Sequence, residues 1–109
     1  MSKYILITTT FDNKDEANKI MNLLLKERLV SCCQLSNITS SYHWKGNIEV
    51  ADEFLVQMKT KKELYKDVEK TILDNHSYEI PQIISYDITD GYSEYLKWIE
   101  EEVRWEKLY

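Results

Sequence analysis

SCCQLSNITSSYHWKGNIEVADEFLVQMKT, residues 31–60, decides the fold of this chain. Successive side chains of a strand point to opposite faces. Residues 31–45 read as one strand, with Tyr42 and Trp44 on one face and His43 on the other. Ser36-Asn37 interrupts the apolar alternation and predicts a bulge or bend. Lys45-Gly46-Asn47 is a hairpin turn signal. Residues 48–60 then alternate: Phe54, Val56 and Met58 share one face, and Glu53, Leu55, Gln57 and Lys59 share the other.

Upstream of the hairpin, residues 4–10 (YILITTT) form a continuous apolar and β-branched run, which suits a central strand covered on both faces. Asn13 offers an N-cap with Glu16 three residues on, and a helix is expected over 14–28, with Ala17, Ile20, Met21, Leu24 and Leu25 at helical spacing. Downstream, Thr60-Lys61-Lys62-Glu63 has the form of a capping box. A second helix follows, striped by Leu64, Val68 and Ile72 with Tyr65 beside them, and ends near Asn75-His76. Pro81 leads into a last strand, Ile83 to Thr89, with Ile84, Tyr86 and Ile88 on one face. Asp90-Gly91 reads as a turn before a third helix over 92–105, with Tyr95, Ile99 and Val103 on one side and Trp98 and Trp105 nearby. The order β-α-β-β-α-β plus a C-terminal helix predicts an α+β, ferredoxin-like domain over residues 1–109. Two or three helices should cover one sheet face and leave the other to be covered by something else.

The bulk numbers bound what such a domain does. At 109 residues the chain suits one hydrophobic core, and 2 Gly with 1 Pro argue against long linkers. A formal net charge of −5 argues against sequence-independent nucleic-acid binding, which needs a basic footprint. The apolar stretch Tyr4 to Ile7 is too short for a signal-peptide core, and no run approaches the roughly 18 residues of a membrane span. A cytoplasmic, membrane-free protein is expected. Cys32 and Cys33 are neighbours on opposite strand faces, so they are poorly placed to bridge, and no second pair exists.

The hairpin is too long for a monomer of this size. A strand of about 13 residues spans about 43 Å, whereas a compact chain of this length has a diameter of roughly 34 Å. The hairpin should protrude or bend, and its edges and its apolar residues Tyr42, Trp44, Ile48, Val50 and Phe54 call for pairing with another chain. Self-association is the expectation.

Five strings occur in order: ERLVSCC (27–33), SYHWKG (41–46), EFLVQMKT (53–60), HSYEIPQI (76–83) and GYSEYLKWI (91–99). In this order and spacing, over nearly the whole chain, the sequence resembles the CutA family of divalent-cation tolerance proteins. The resemblance implies a tight homotrimer of ferredoxin-like subunits, like that of the PII signalling proteins, in which the long hairpin strands pair across subunits. It implies a link to tolerance of copper and other divalent metals, a binding or sensing role, and no established enzymatic activity. Metal-binding relatives carry a Cys near the end of strand one and two adjacent His before a Pro-Tyr string. Here those positions are Thr8, Asn75 and His76, and Ser77 replaces the Pro. Only His76 remains as a metal ligand, with Cys32 a candidate to join it across a symmetry axis. No cofactor is required; a divalent metal such as Cu²⁺ is the candidate ligand, and weak binding is expected, because a closed site wants three or four ligands.

These readings converge on one pocket. Glu53 and Lys59 share a strand face and should point away from the helices, toward a subunit boundary. His76, Tyr78 and Glu79 approach from before the last strand, and Cys32 from the start of strand two. Cys32, Glu53, Lys59 and Tyr78 are therefore the candidate ligand-binding residues around a small-molecule cleft, with His76 the metal ligand. An alternative is a small enzyme using Cys32 and His76 as a nucleophile and base pair. Acylphosphatase-like chemistry is disfavoured because Thr8-Thr9-Thr10-Phe11-Asp12 lacks Gly and Arg. An RNA-recognition module is disfavoured by the acidic charge and by a first strand of Tyr4-Ile5-Leu6-Ile7.

Overall fold

A computed structural model describes residues 2–104. The elements are β1 (Tyr4–Phe11), α1 (Lys14–Lys26), β2 (Cys32–Trp44), β3 (Asn47–Lys61), a short 3₁₀ turn (Lys62–Leu64), α2 (Tyr65–Asn75), β4 (Ile83–Ile88) and α3 (Ser93–Glu102). The sheet has four strands in the order β2-β3-β1-β4, all antiparallel, which is the expected ferredoxin-like α+β arrangement. Trp105 lies outside the described residues.

The β2–β3 hairpin pairs without interruption from Cys32–Lys59 to Trp44–Asn47. The bulge expected at Ser36-Asn37 does not form: Ser36 faces Leu55 and Asn37 faces Phe54 in continuous register. Backbone pairing overrides the loss of side-chain alternation, because each ladder hydrogen bond would otherwise be left to solvent. The reversal uses Lys45 at φ 48° and Gly46 at φ 83°. Positive φ at both central residues marks the primed turns whose twist matches that of the strands. The unbent arm makes the molecule 45 Å long against widths of 27 and 21 Å.

On one face of the sheet, Ile5, Ile7 and Phe11 of β1 and Val56 and Met58 of β3 are buried. They pack in one cluster with Ala17, Ile20 and Leu24 of α1 and Val68 and Ile72 of α2. Leu25, read as part of the α1 stripe, is 40% exposed. Thr60 was expected to cap α2. Instead β3 continues to Lys61, and the buried Thr60 hydroxyl donates to the Leu29 carbonyl at 2.7 Å. The Asn13 cap forms, with Oδ1 accepting from Glu16 N at 3.0 Å, but Glu16 does not fold back to complete a box. Its carboxylate accepts from the Ser77 amide and hydroxyl at 3.1 and 2.9 Å. That contact ties the start of α1 to the segment between α2 and β4.

The opposite face carries Leu6, Thr8 and Thr10 of β1, Leu55, Gln57 and Lys59 of β3, and their cross-strand partners Ile84, Tyr86, Ser36, Gln34 and Cys32. Helix α3 does not join α1 and α2. It crosses one end of this second face, where Tyr95 Oη lies 3.7 Å from Cys32 Sγ and Lys59 Nζ lies 5.6 Å from the Tyr95 ring centre. Ile99 and Val103 are buried as expected, but Tyr95 remains 39% exposed. No helix among the described residues is long and apolar enough to cross a membrane.

Both cysteines are free. Cys33 packs against the core cluster, and burial pushes its thiol up to about 12. Cys32 lies on the other face. An aromatic disulfide reagent at mildly alkaline pH should therefore label the native protein at Cys32 first, with Cys33 reacting only on unfolding; equal rates would contradict the face assignment. Thr60→Val should lower the unfolding free energy by about 1–3 kcal/mol, because it leaves the Leu29 carbonyl unpaired. Chemical denaturation reads this directly, and an unchanged midpoint would return Thr60 to a surface role.

Candidate functional site

The candidate residues are placed by three elements: Cys32 by β2, Glu53 and Lys59 by β3, and His76 and Tyr78 by the loop of residues 76–82, which bends at residues 78–80 before Pro81. They separate into two groups at opposite ends of the sheet. Glu53 and Lys59 both point away from α1 and α2, as their alternation predicts, and neither faces open solvent. They lie six positions apart, or roughly 20 Å along the strand. One chain does not bring both to one cleft.

The first group is Glu53, Tyr78 and His76. Glu53 is only 6% exposed, and its Oε2 accepts a hydrogen bond from Tyr78 Oη at 2.6 Å. Burial, followed by this bond to Glu53, pushes the Tyr78 hydroxyl well above its ordinary range. His76 stands behind Tyr78, its ring stacked on Phe11 with centroids 4.3 Å apart and tilted against Tyr78 at 4.7 Å. The Tyr78 amide donates to His76 Nδ1 at 3.1 Å. Nδ1 is therefore an acceptor, and Nε2 carries the hydrogen that it donates to the Thr10 carbonyl at 2.7 Å. Both ring nitrogens are thus used within the chain. The expectation that His76 is a metal ligand meets this arrangement directly: ligation would break one of two hydrogen bonds of a side chain only 1% exposed. Here His76 fixes the backbone that aims Tyr78 at Glu53.

The second group is Cys32, Lys59, Gln34 and Tyr95. Lys59 Nζ donates to Gln34 Oε1 at 3.0 Å and lies 4.0 Å from Cys32 Sγ. Burial, then the contact with Cys32, raises the Tyr95 hydroxyl above its ordinary range. Cys32 and His76 stand at opposite ends of the sheet, one beside Lys59 and the other at Thr10, so a Cys–His catalytic pair does not assemble within one chain.

A cleft of about 600 Å³ opens beside the first group. Residues 40–44 of β2 form one wall and Tyr78, Glu79, Ile80 and Gln82 the other, with Thr10 and Glu53 between them. A shallower depression shares Thr10 and Gln82 with it and runs on past Thr8, Leu55 and Tyr86. The part played by Tyr42 and Trp44 in this cleft was not read from the sequence, where they are packing residues. The signal was available in the pairing: Ile38 faces Glu53, so every second residue onward, Ser40, Tyr42 and Trp44, shares the face of Glu53. The same register puts Gln34 on the face of Lys59, one step along from Cys32, whereas nothing in the pattern marks Tyr95, which the path of α3 brings there.

The CutA1 divalent ion tolerance protein family profile matches residues 5–102. The divalent-cation tolerance protein CutA of Pyrococcus horikoshii is 37% identical over 100 residues, covering 92% of this chain and 98% of the relative. The crystal structure of CutA1 from the psychrotrophic bacterium Shewanella sp. SIB1 superposes with a TM-score of 0.92 at 30% identity, covering 95% of this chain and 98% of that one. The periplasmic divalent cation tolerance protein CutA from Archaeoglobus fulgidus superposes with a TM-score of 0.90 at 35% identity, covering 93% and 99% of the two chains. Sequence identity and backbone path agree over nearly the full length, and the chain belongs to the CutA1 divalent ion tolerance protein family.

Proposed function

We propose that this protein is a PII-like homotrimer that acts in divalent-cation tolerance, copper included, as a binding or signalling protein rather than an enzyme, with its ligand pocket at a subunit boundary. The observation that carries the reading is the uncovered part of the second sheet face and the arm. Ile84 and Tyr86 are 42% and 52% exposed there, and Tyr42, Ile48 and Val50 on the arm are 42%, 73% and 66% exposed. An apolar surface of this kind favours burial against another chain. β2 and β4 are both edge strands, and an edge this long favours pairing. A cytoplasmic setting belongs to the same reading, supported by two unbridged thiols.

Copper fits the residues of a single chain poorly. His76 has no free nitrogen, Cys32 lies at the far end of the face, and no group of three His, Cys, Asp or Glu gathers among the described residues. Tolerance through weak or shared metal contacts is the form that this chemistry supports.

Native mass spectrometry at micromolar concentration should give a trimer, and Tyr86→Asp should shift it toward monomer; a monomeric wild-type mass would overturn the assembly. Calorimetric titration with Cu²⁺ at neutral pH should show weak binding. Tight stoichiometric binding that survives His76→Ala would place the ligands elsewhere.

A further inference from the structure

Glu53 has a buried carboxylate and, among the described residues, no cation within ion-pair distance. Tyr78 hydrogen-bonds Oε2, but a phenol does not neutralise a carboxylate. Taking a carboxylate out of water without a counter-charge is costly, and a buried charge is ordinarily paired. The cleft that Glu53 lines contains no Lys or Arg, holds a second carboxylate at Glu79, and is walled by the aromatic rings of Tyr42, Trp44 and Tyr78. Aromatic faces attract cations through their quadrupole, most strongly at Trp. The Trp44 ring already shows this, with Lys45 Nζ 5.5 Å from its centroid. A metal ion is a poor match, since it wants several hard or imidazole donors at short range and no such group gathers here. A volume of about 600 Å³ also exceeds what a bare ion needs and falls within the range of small-molecule sites.

We infer that this cleft binds a small organic ammonium cation. Its nitrogen pairs with Glu53, and its carbon body lies against Tyr42, Trp44 and Tyr78. The inference rests on the reading of the cleft as a ligand pocket and names the chemistry of its occupant. His76 and Glu16 act as positioning residues: His76 holds the Tyr78 amide, Glu16 holds Ser77, and together they set the wall that carries Tyr78. Glu79 supplies a second carboxylate, which suits an occupant with two ammonium ends.

The test is calorimetry on the full chain with a metal chelator present and ionic strength matched, using diaminobutane and, as its neutral counterpart, butanediol. Saturable binding of the diamine, no binding of the diol, and a loss of about tenfold or more in affinity for Glu53→Gln are the expected results. Tyr42→Leu serves if the Glu53 variant does not assemble, and should weaken the diamine without admitting the diol. Absence of diamine binding, equal binding of the diol, or unchanged affinity in Glu53→Gln would overturn the inference. Native mass spectra of the same samples keep the two readings apart. A trimer that ignores the diamine rejects the ammonium ligand alone, whereas a monomer rejects the assembly.

Discussion

Lys45 and Gly46, both at positive φ, reverse the chain in two residues and lock β2 against β3 in one register from Trp44–Asn47 to Cys32–Lys59. The side-chain period of a strand is two, so this register decides which residues meet the helices and which do not. With Met58 and Val56 turned to the core, Glu53, Leu55, Gln57 and Lys59 have no choice of face. β1 then pairs with β3 in a register that adds Thr8 and Thr10 to the same surface, and β4 adds Ile84 and Tyr86. The surface that holds the cleft is therefore written by the hairpin. The helices only decide how much of it remains open, with α3 closing the end near Lys59.

The other organising contact is local. His76 ends α2, spends both ring nitrogens on backbone groups and stacks on Phe11. Glu16 reaches from the first turn of α1 to Ser77. A loop fastened at consecutive residues holds Tyr78 in place, and Tyr78 in turn meets the buried Glu53. Both ring nitrogens of this imidazole are taken up by backbone groups that set the path of the loop.

Much of the fold was legible because it depends on short-range alternation. The strand runs, the helix stripes and the element order follow from periods of two and 3.6, and the Asn13 cap from a hydrogen bond three residues long. The misreadings share a cause. Ser36-Asn37 and Thr60 carry strong local signals, a bulge and a cap, and both were overruled by partners distant in sequence: Leu55 and Phe54 in one case, the Leu29 carbonyl in the other. The site was legible in composition but not in grouping. Glu53, Tyr78 and His76 do converge, whereas Lys59 and Cys32 share the face of Glu53 but stand roughly 20 Å along the strand, because face follows from parity and position along the strand does not. That Tyr42 and Trp44 also line the cleft was not legible for the same reason: without the register, an aromatic on the arm has no address.

The unbroken pairing also governs how this arm can change over evolutionary time. An insertion of one residue in either strand would turn every side chain beyond it to the wrong face. Growth or shrinkage is neutral only when both strands alter together beside the Lys45-Gly46 turn, where a side-chain carbon placed on Gly46 would meet no atom beyond its chain neighbours within 4 Å. The tip is thus the place where length drifts without disturbing Glu53. The arm behaves as a ruler with its zero at the sheet, and variation should collect at its free end.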